Sequence, residues 1–156
     1  MNASPMRLNH AVLFVTDAER SARFYCEIFG MYEVLRQPPA SAIFLRLPRS
    51  DNHHDLGLFA VGASAPEPPR GATGLYHLAW QVETITDLAH MRAALQNAGS
   101  FTGEADHGAT KSIYGQDPDG IQFEVMWMLP REEWGSWESD AVVAPLDLTS
   151  EIERWG

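Results

Sequence analysis

The 156-residue chain, 45% of it hydrophobic, has the size of one compact domain with enough apolar side chains for a single core, which excludes a peptide-scale, disulfide-stapled module. Eleven basic against 21 acidic side chains leave a formal charge of −10 at pH 7, a field that repels phosphate backbones and anionic lipid, so nucleic acid and membrane are excluded as partners. No apolar run approaches the roughly 20 residues that span a bilayer, and the first ten residues carry no apolar core behind a positive end. A soluble, cytoplasmic protein is expected, which the single cysteine, Cys26, suits.

In chain order, residues 7–15 read as a strand, followed by Thr16-Asp17 as a helix N-cap. Ala18, Ala22, Tyr25 and Phe29 then recur at helical spacing until Gly30 stops a helix over 18–29. Short strand-like runs follow at 31–36, 41–47 and 55–61. Residues 63–72, ASAPEPPRGA, can continue neither a helix nor a central strand and are read as a linker. Beyond it the order repeats: a strand over 75–82, a helix over 87–97 capped by Thr86 or Asp87, with Leu88, Met91, Ala94 and Leu95 on its buried stripe, and strands over about 101–105, 110–114 and 121–128. Leu8-Asn9-His10 and Leu75-Tyr76-His77 stand at one offset of 67 positions. Two βαβββ units, about 7–62 and 73–128, are the simplest reading.

Residues 129–156 lie outside both copies. They carry seven acids against two arginines, yet also Trp134, Trp137, Trp155, Val142, Val143, Leu146 and Leu148. So much apolar surface predicts a tail docked on its own body or on a second subunit.

Strand alternation places His10 on one face with Leu8, Val12 and Phe14, and His77 at the equivalent position of the second copy. In the last strand, IQFEVMWM, Glu124 shares a face with Gln122 and Met126. A carboxylate there must be solvated, paired or metal-bound, because an isolated buried charge costs several kcal/mol. Two histidines and a carboxylate with positions left over suit an open Fe(II) or Mn(II) site. The same residues also fit half-buried strand histidines and a glutamate that meets water at a sheet edge.

The segments NHAVLFVTDAERSARFYCEIFGM, HHDLGLF, GLYHLAWQV and DHGATKSIYGQDPDGIQFEV resemble the vicinal oxygen chelate superfamily of glyoxalases, bleomycin-resistance proteins and extradiol dioxygenases. The likeness covers residues 7–128 and is greatest to single-domain, catechol 2,3-dioxygenase-like members. It implies an α+β fold of two βαβββ modules whose curved mixed sheets form a cup around a metal, within one domain that holds its whole site in one chain, with the tail docked. It implies that His10, His77 and Glu124 hold the metal. The position that supplies a fourth ligand in glyoxalase I is here Gly57, which leaves room for a diol and O2.

The resemblance further implies an outer set. His54, directly before Asp55 and preferred over the neighbouring His53, would act as acid and base, and His107 and Tyr114 would bind a substrate oxygen and help remove its proton. Two departures stand out near the pocket region of the family: Gly115-Gln116 where relatives often have a large aromatic and a charged residue, and Ile121 in place of asparagine after the DPDG turn. The implied activity is Fe(II)-dependent ring cleavage of a small aromatic diol with O2, in a homodimer, with Mn(II) or another divalent ion as alternatives. A metal-dependent isomerase of the glyoxalase type and a metal-free drug-binding protein are the competing readings, the last disfavoured because such relatives lack the histidine set.

Overall fold

The computed structural model describes residues 3–38, 41–66 and 71–156. The chain divides into two compact units, Met1–Ala72 and Thr73–Gly156. Of the linker expected over 63–72, residues 67–70 lie outside the described residues.

The first unit runs β1 (Ala11–Val15), α1 (Ala18–Phe29), β2 (Tyr32–Gln37), β3 (Ala42–Arg46) and β4 (Leu56–Ala60). These strands form one sheet in the order β1-β4-β3-β2, in which β1 lies parallel to β4 and the other pairs are antiparallel. Alternation divides its faces: Leu13, Val15, Leu56 and Leu58 are buried, while Val12 and Phe14 are exposed. The Asp17 side chain accepts from the backbone N–H groups of Glu19 and Arg20, satisfying donors that have no partner inside α1. Ala18, Ser21, Ala22 and Tyr25 form its buried stripe, and Gly30 ends it at a φ of 64°.

The second unit repeats the order with β5 (Leu78–Gln81), α2 (Ile85–Asn97), β6 (Phe101–Asp106), β7 (Thr110–Gln116) and β8 (Gln122–Met128), and adds α3 (Leu148–Trp155). Its sheet order is β5-β8-β7-β6, again with the first pair parallel. Among the described residues, two four-stranded mixed sheets and three α-helices make this an α+β fold, with the two βαβββ units that the sequence repeat predicts.

Three local features differ from the sequence-based expectation. The opening strands are shorter, so His10 and His77 each stand one residue before a strand and not within it. The reason is the partner: β4 starts only at Leu56, opposite Ala11, and β8 contributes its first pair to β5 at Phe123, opposite Leu78. Helix α2 starts at Ile85 because Thr84, not Thr86 or Asp87, is the cap, and Thr84 and Asp87 accept from each other's backbone N–H in a capping box.

The third difference is α3, absent from the expected elements. Asp147 caps it by accepting from the backbone N–H and hydroxyl of Ser150. Leu148 is buried, Trp155 packs beside Trp127 with ring centroids 5.9 Å apart, and the helix lies against α2. The tail thus docks on its own unit. The Ser150 backbone N–H holds the Asp147 carboxyl below the usual carboxylate range, so this cap is complete above the unfolded-state value and is lost as pH falls through the folded one.

Thr84→Ala is expected to cost about 1 kcal/mol through loss of the capping box. Leu95→Ala, which empties a fully buried position of α2, is expected to cost about 2–5 kcal/mol. Urea unfolding of both variants checks the ranking, which fails if Thr84→Ala equals the parent protein or Leu95→Ala is the milder change.

Candidate functional site

In the first unit the loop between β3 and β4 is built around the buried carboxylate of Asp55. It accepts from the Leu47 backbone N–H at 2.8 Å, the Ser50 hydroxyl at 2.7 Å and the Asn52 amide at 2.8 Å. Asn52 also donates to the Asn9 carbonyl and accepts from the Asn9 amide, and Asn9 Oδ1 is 2.9 Å from His10 Nδ1. A buried charge satisfied by three donors therefore fixes both the loop that carries His54 and the segment that carries His10.

The result is an aromatic cluster. The His54 ring lies 4.4 Å from His10 and 5.0 Å from Phe44, while His53 touches His54 through Nδ1 atoms 3.0 Å apart. Burial first, then the positive fields of His10 and His53, depress the His54 pKa, and Asp55 opposes them. Gly57 offers no ligand atom, and a Cβ there would meet Phe44 and Val12 at 3.3 and 3.4 Å.

In the second unit Glu124 occupies the middle of β8, opposite Ala79 of β5 on one side and Tyr114 of β7 on the other. Its Oε2 lies 3.0 Å from His77 Nε2, and its side chain is only 13% exposed. The Tyr114 hydroxyl is 2.7 Å from His107 Nε2, and the Tyr114 ring packs edge-on to His77 at 6.1 Å. Desolvation first, then the Glu124 carboxylate and Tyr76, push the Tyr114 hydroxyl above its ordinary pKa of 10, so it is neutral at physiological pH. His107 Nδ1 meets the Val142 carbonyl at 2.9 Å.

Within their own units, then, the structure joins His10 to His54 and assembles His77, Glu124, Tyr114 and His107 into one continuous group. Within neither unit, among the described residues, do three His, Cys, Asp or Glu side chains gather for a metal ion. The pair that the second unit does provide fits a shared ion: two ligands at adjacent corners of one cation, each with a bond of about 2.1 Å, stand about 3.0 Å apart, as His77 Nε2 and Glu124 Oε2 do. An imidazole nitrogen with a carboxylate oxygen is also a donor set suited to iron or manganese.

Other features have structural explanations. Asp117 of the DPDG sequence is buried and accepts from the backbone N–H groups of Asp119 and Ile121, which makes that motif a turn and gives Ile121 a place in it. Gly115, expected near the pocket, points to the opposite face of β7 from Tyr114, where a Cβ would fall 2.6 Å from the Phe123 ring. A side chain at position 115 has no room there. A cleft of about 420 Å³ at the start of α1 contains none of the six residues, and its Arg36 is bound to Glu19 and Glu33. Reasoning from side chains missed Asn9 and Asn52, visible only as flanking amides, and the Val142 carbonyl, which has no side-chain signal.

Comparison with known proteins gives a match of residues 7–125 to the model of the Glyoxalase/Bleomycin resistance protein/Dioxygenase superfamily. The chain is 31% identical over 128 residues to a catechol-2,3-dioxygenase of Bacillus subtilis, covering 81% of this chain and 43% of that protein. It is 30% identical over 127 residues to biphenyl-2,3-diol 1,2-dioxygenase 3 of Rhodococcus globerulus, covering 80% and 64%. The chain therefore spans about half the length of these relatives. Further matches are a manganese-dependent 2,3-dihydroxybiphenyl 1,2-dioxygenase of Geobacillus genomosp. 3, 28% identical, and a lactoylglutathione lyase of Arabidopsis thaliana, 29% identical, with 81% of this chain covered in each and 38% and 46% of the relatives. Among solved structures, a glyoxylase/bleomycin resistance protein/dioxygenase domain from Frankia superposes with a TM-score of 0.69 at 26% identity, over 82% of this chain and 96% of that one.

In the metal-free protein His54 is expected to take up its proton below the ordinary imidazole value of 6.5, as read from the shift of its ring C–H in an NMR titration. Stability that depends on neutral His54 is complete above 6.5 and falls as pH drops through the folded-state value; His54→Gln should flatten that slope. A midpoint at or above 6.5 contradicts the burial argument.

Proposed function

This chain belongs to the glyoxalase/bleomycin resistance protein/dioxygenase superfamily, and we propose that within it the protein acts as an Fe(II)-dependent extradiol dioxygenase, opening the ring of a small catechol-like diol with O2. The observation that supports this reading is the continuous group of His77, Glu124, Tyr114 and His107 in the second unit: a pair whose spacing suits a shared ion beside a phenol and an imidazole already hydrogen-bonded to each other. His10, His77 and Glu124 are the proposed ligands of a single divalent ion, with residues 7–128 acting as one domain. Fe(II), or Mn(II) in its place, supplies Lewis acidity toward the diol oxygens and an electron path between diol and O2.

The chain's own residues do the rest. The Tyr114 hydroxyl binds and orients one diol oxygen by accepting its O–H, and His107 Nε2, which accepts the Tyr114 O–H, receives a proton through that hydroxyl when the diol oxygen ionises. His54, held neutral among His10 and Phe44, takes up and returns a proton on the oxygen side. Gly57 itself offers no ligand atom, and the Phe44 ring, packed edge-on to Phe59, occupies the space beside it. Ring cleavage falls beside the two hydroxyls, and both atoms of O2 end in the product. The proposed setting is the cytoplasm, where the lone Cys26 needs no disulfide partner, and the proposed assembly is a homodimer.

Protein loaded with Fe(II) without oxygen should consume O2 and form a yellow ring-fission product with at least one member of a catechol panel. His77→Ala should lose stoichiometric iron, and His54→Asn should lower kcat by about 10²–10⁴-fold with iron retained. Stoichiometric iron with no oxygen uptake across the panel overturns the proposal, and turnover of a hemithioacetal under nitrogen would replace it with the isomerase reading.

A further inference from the structure

The tail does more than cover apolar surface. Between β8 and α3 the chain returns to the turn that joins β6 to β7, where Asp106 and Ala144 exchange both backbone hydrogen bonds, at 2.8 and 2.9 Å. The Trp137 ring lies so closely over Gly108 that a Cβ there would fall 2.5 Å from it. From beneath, the Asp106 carboxylate accepts from the Gly108 backbone N–H at 2.8 Å and from buried Lys111 at 2.6 Å, and Lys111 also faces Glu151 of α3 at 3.4 Å. His107 is the residue enclosed by these contacts, and its own N–H donates to the Thr110 carbonyl.

The strap places the Val142 carbonyl 2.9 Å from His107 Nδ1. A carbonyl oxygen can only accept, so Nδ1 carries the ring proton, and in a neutral imidazole Nε2 is then the bare lone pair. That nitrogen is the one 2.7 Å from the Tyr114 hydroxyl. We propose that the backbone carbonyl of Val142 is a positioning group which locks His107 in its Nδ1–H tautomer and aims the Nε2 lone pair at Tyr114.

With the strap absent, water would serve either ring nitrogen, the two tautomers would compete, and the ring could rotate. With it in place, a group more than 30 residues away in sequence determines which nitrogen faces the substrate side. The catalytic consequence rests on the reading of His107 and Tyr114 as substrate-side residues; the tautomer does not, and the two can fail separately.

The test is the ¹⁵N spectrum of the histidine rings in the metal-free full chain, with His107 assigned by the signals that vanish in His107→Gln. At a pH where the ring is neutral, the expected pattern is a protonated Nδ1 and an unprotonated Nε2. A proton on Nε2, or one averaged between the two nitrogens, overturns the proposal whatever the enzyme's activity. Ala144→Pro removes the N–H that donates to Asp106 and should erase the single-tautomer pattern, while Ala144→Gly, which keeps that N–H, should retain it. In iron-loaded protein that cleaves a diol, Ala144→Pro should lower kcat about ten-fold with KM little changed. An unaltered ring pattern in Ala144→Pro, with the strap shown to be released by new proteolytic cleavage between residues 130 and 147, refutes the role of Val142; if that variant does not fold, the parent spectrum alone decides.

Discussion

A carboxylate in the middle of an apolar strand is the constraint around which the second unit is arranged. Glu124 lies between buried Phe123 and Val125, and its neighbours across the sheet are Ala79 and Tyr114. An uncompensated charge at such a position would protonate or destabilise the strand. The compensation is directional. His77 approaches Glu124 from the residue preceding β5, and the small side chain of Ala79 leaves the carboxylate's own face uncrowded. After burial, the same negative charge is the second cause that raises the Tyr114 pKa, so Glu124 adds to the environment that keeps its neighbour a phenol.

The first unit uses a buried carboxylate differently. Asp55 is saturated by Leu47, Ser50 and Asn52, leaving it no role as a ligand, and the energy of those three hydrogen bonds orders a loop of otherwise polar residues. Among the described residues Glu124 pairs with His77, whereas Asp55 accepts three hydrogen bonds. The two units share a strand order and an internal offset, yet the histidines at equivalent positions meet different surroundings, Asn9 and His54 for His10, and Glu124 and Tyr114 for His77.

Much of this was legible because it is periodic. The alternation that buries Leu13 and Val15 and exposes Val12 and Phe14, the helical stripe ending at Gly30, and the repeat of Leu-Asn-His as Leu-Tyr-His are all local signals. Where the reading went astray, a partner decided the outcome. Strand ends follow where the neighbouring strand begins, which moved His10 and His77 just outside their strands; a capping box competes with two other plausible caps around Thr84; and α3 is short enough that its Asp147 cap and the Leu148, Ile152, Trp155 spacing are easily read as loop. Gly115 is a glycine for a local reason: its Cβ position faces the Phe123 ring, on the side of β7 opposite Tyr114.

The hydrogen bonds around Tyr114 have a direction, and that direction limits what the site can do. Because the phenol is held neutral, its O–H is a donor at physiological pH, and His107 Nε2 is the acceptor that faces it. The ring nitrogen on the far side donates to a carbonyl, which can neither take up nor release a proton under these conditions. The chain of hydrogen bonds therefore ends at Val142, and a proton arriving from the Glu124 side stops on His107 and does not pass into the tail. The lone pairs of the Tyr114 oxygen are then directed to a hydroxyl that donates to it, so the arrangement favours a substrate that brings its own proton over one that is already an anion. On the proposed function, a neutral diol would meet that requirement, whereas a preformed enediolate would place like charge beside Glu124.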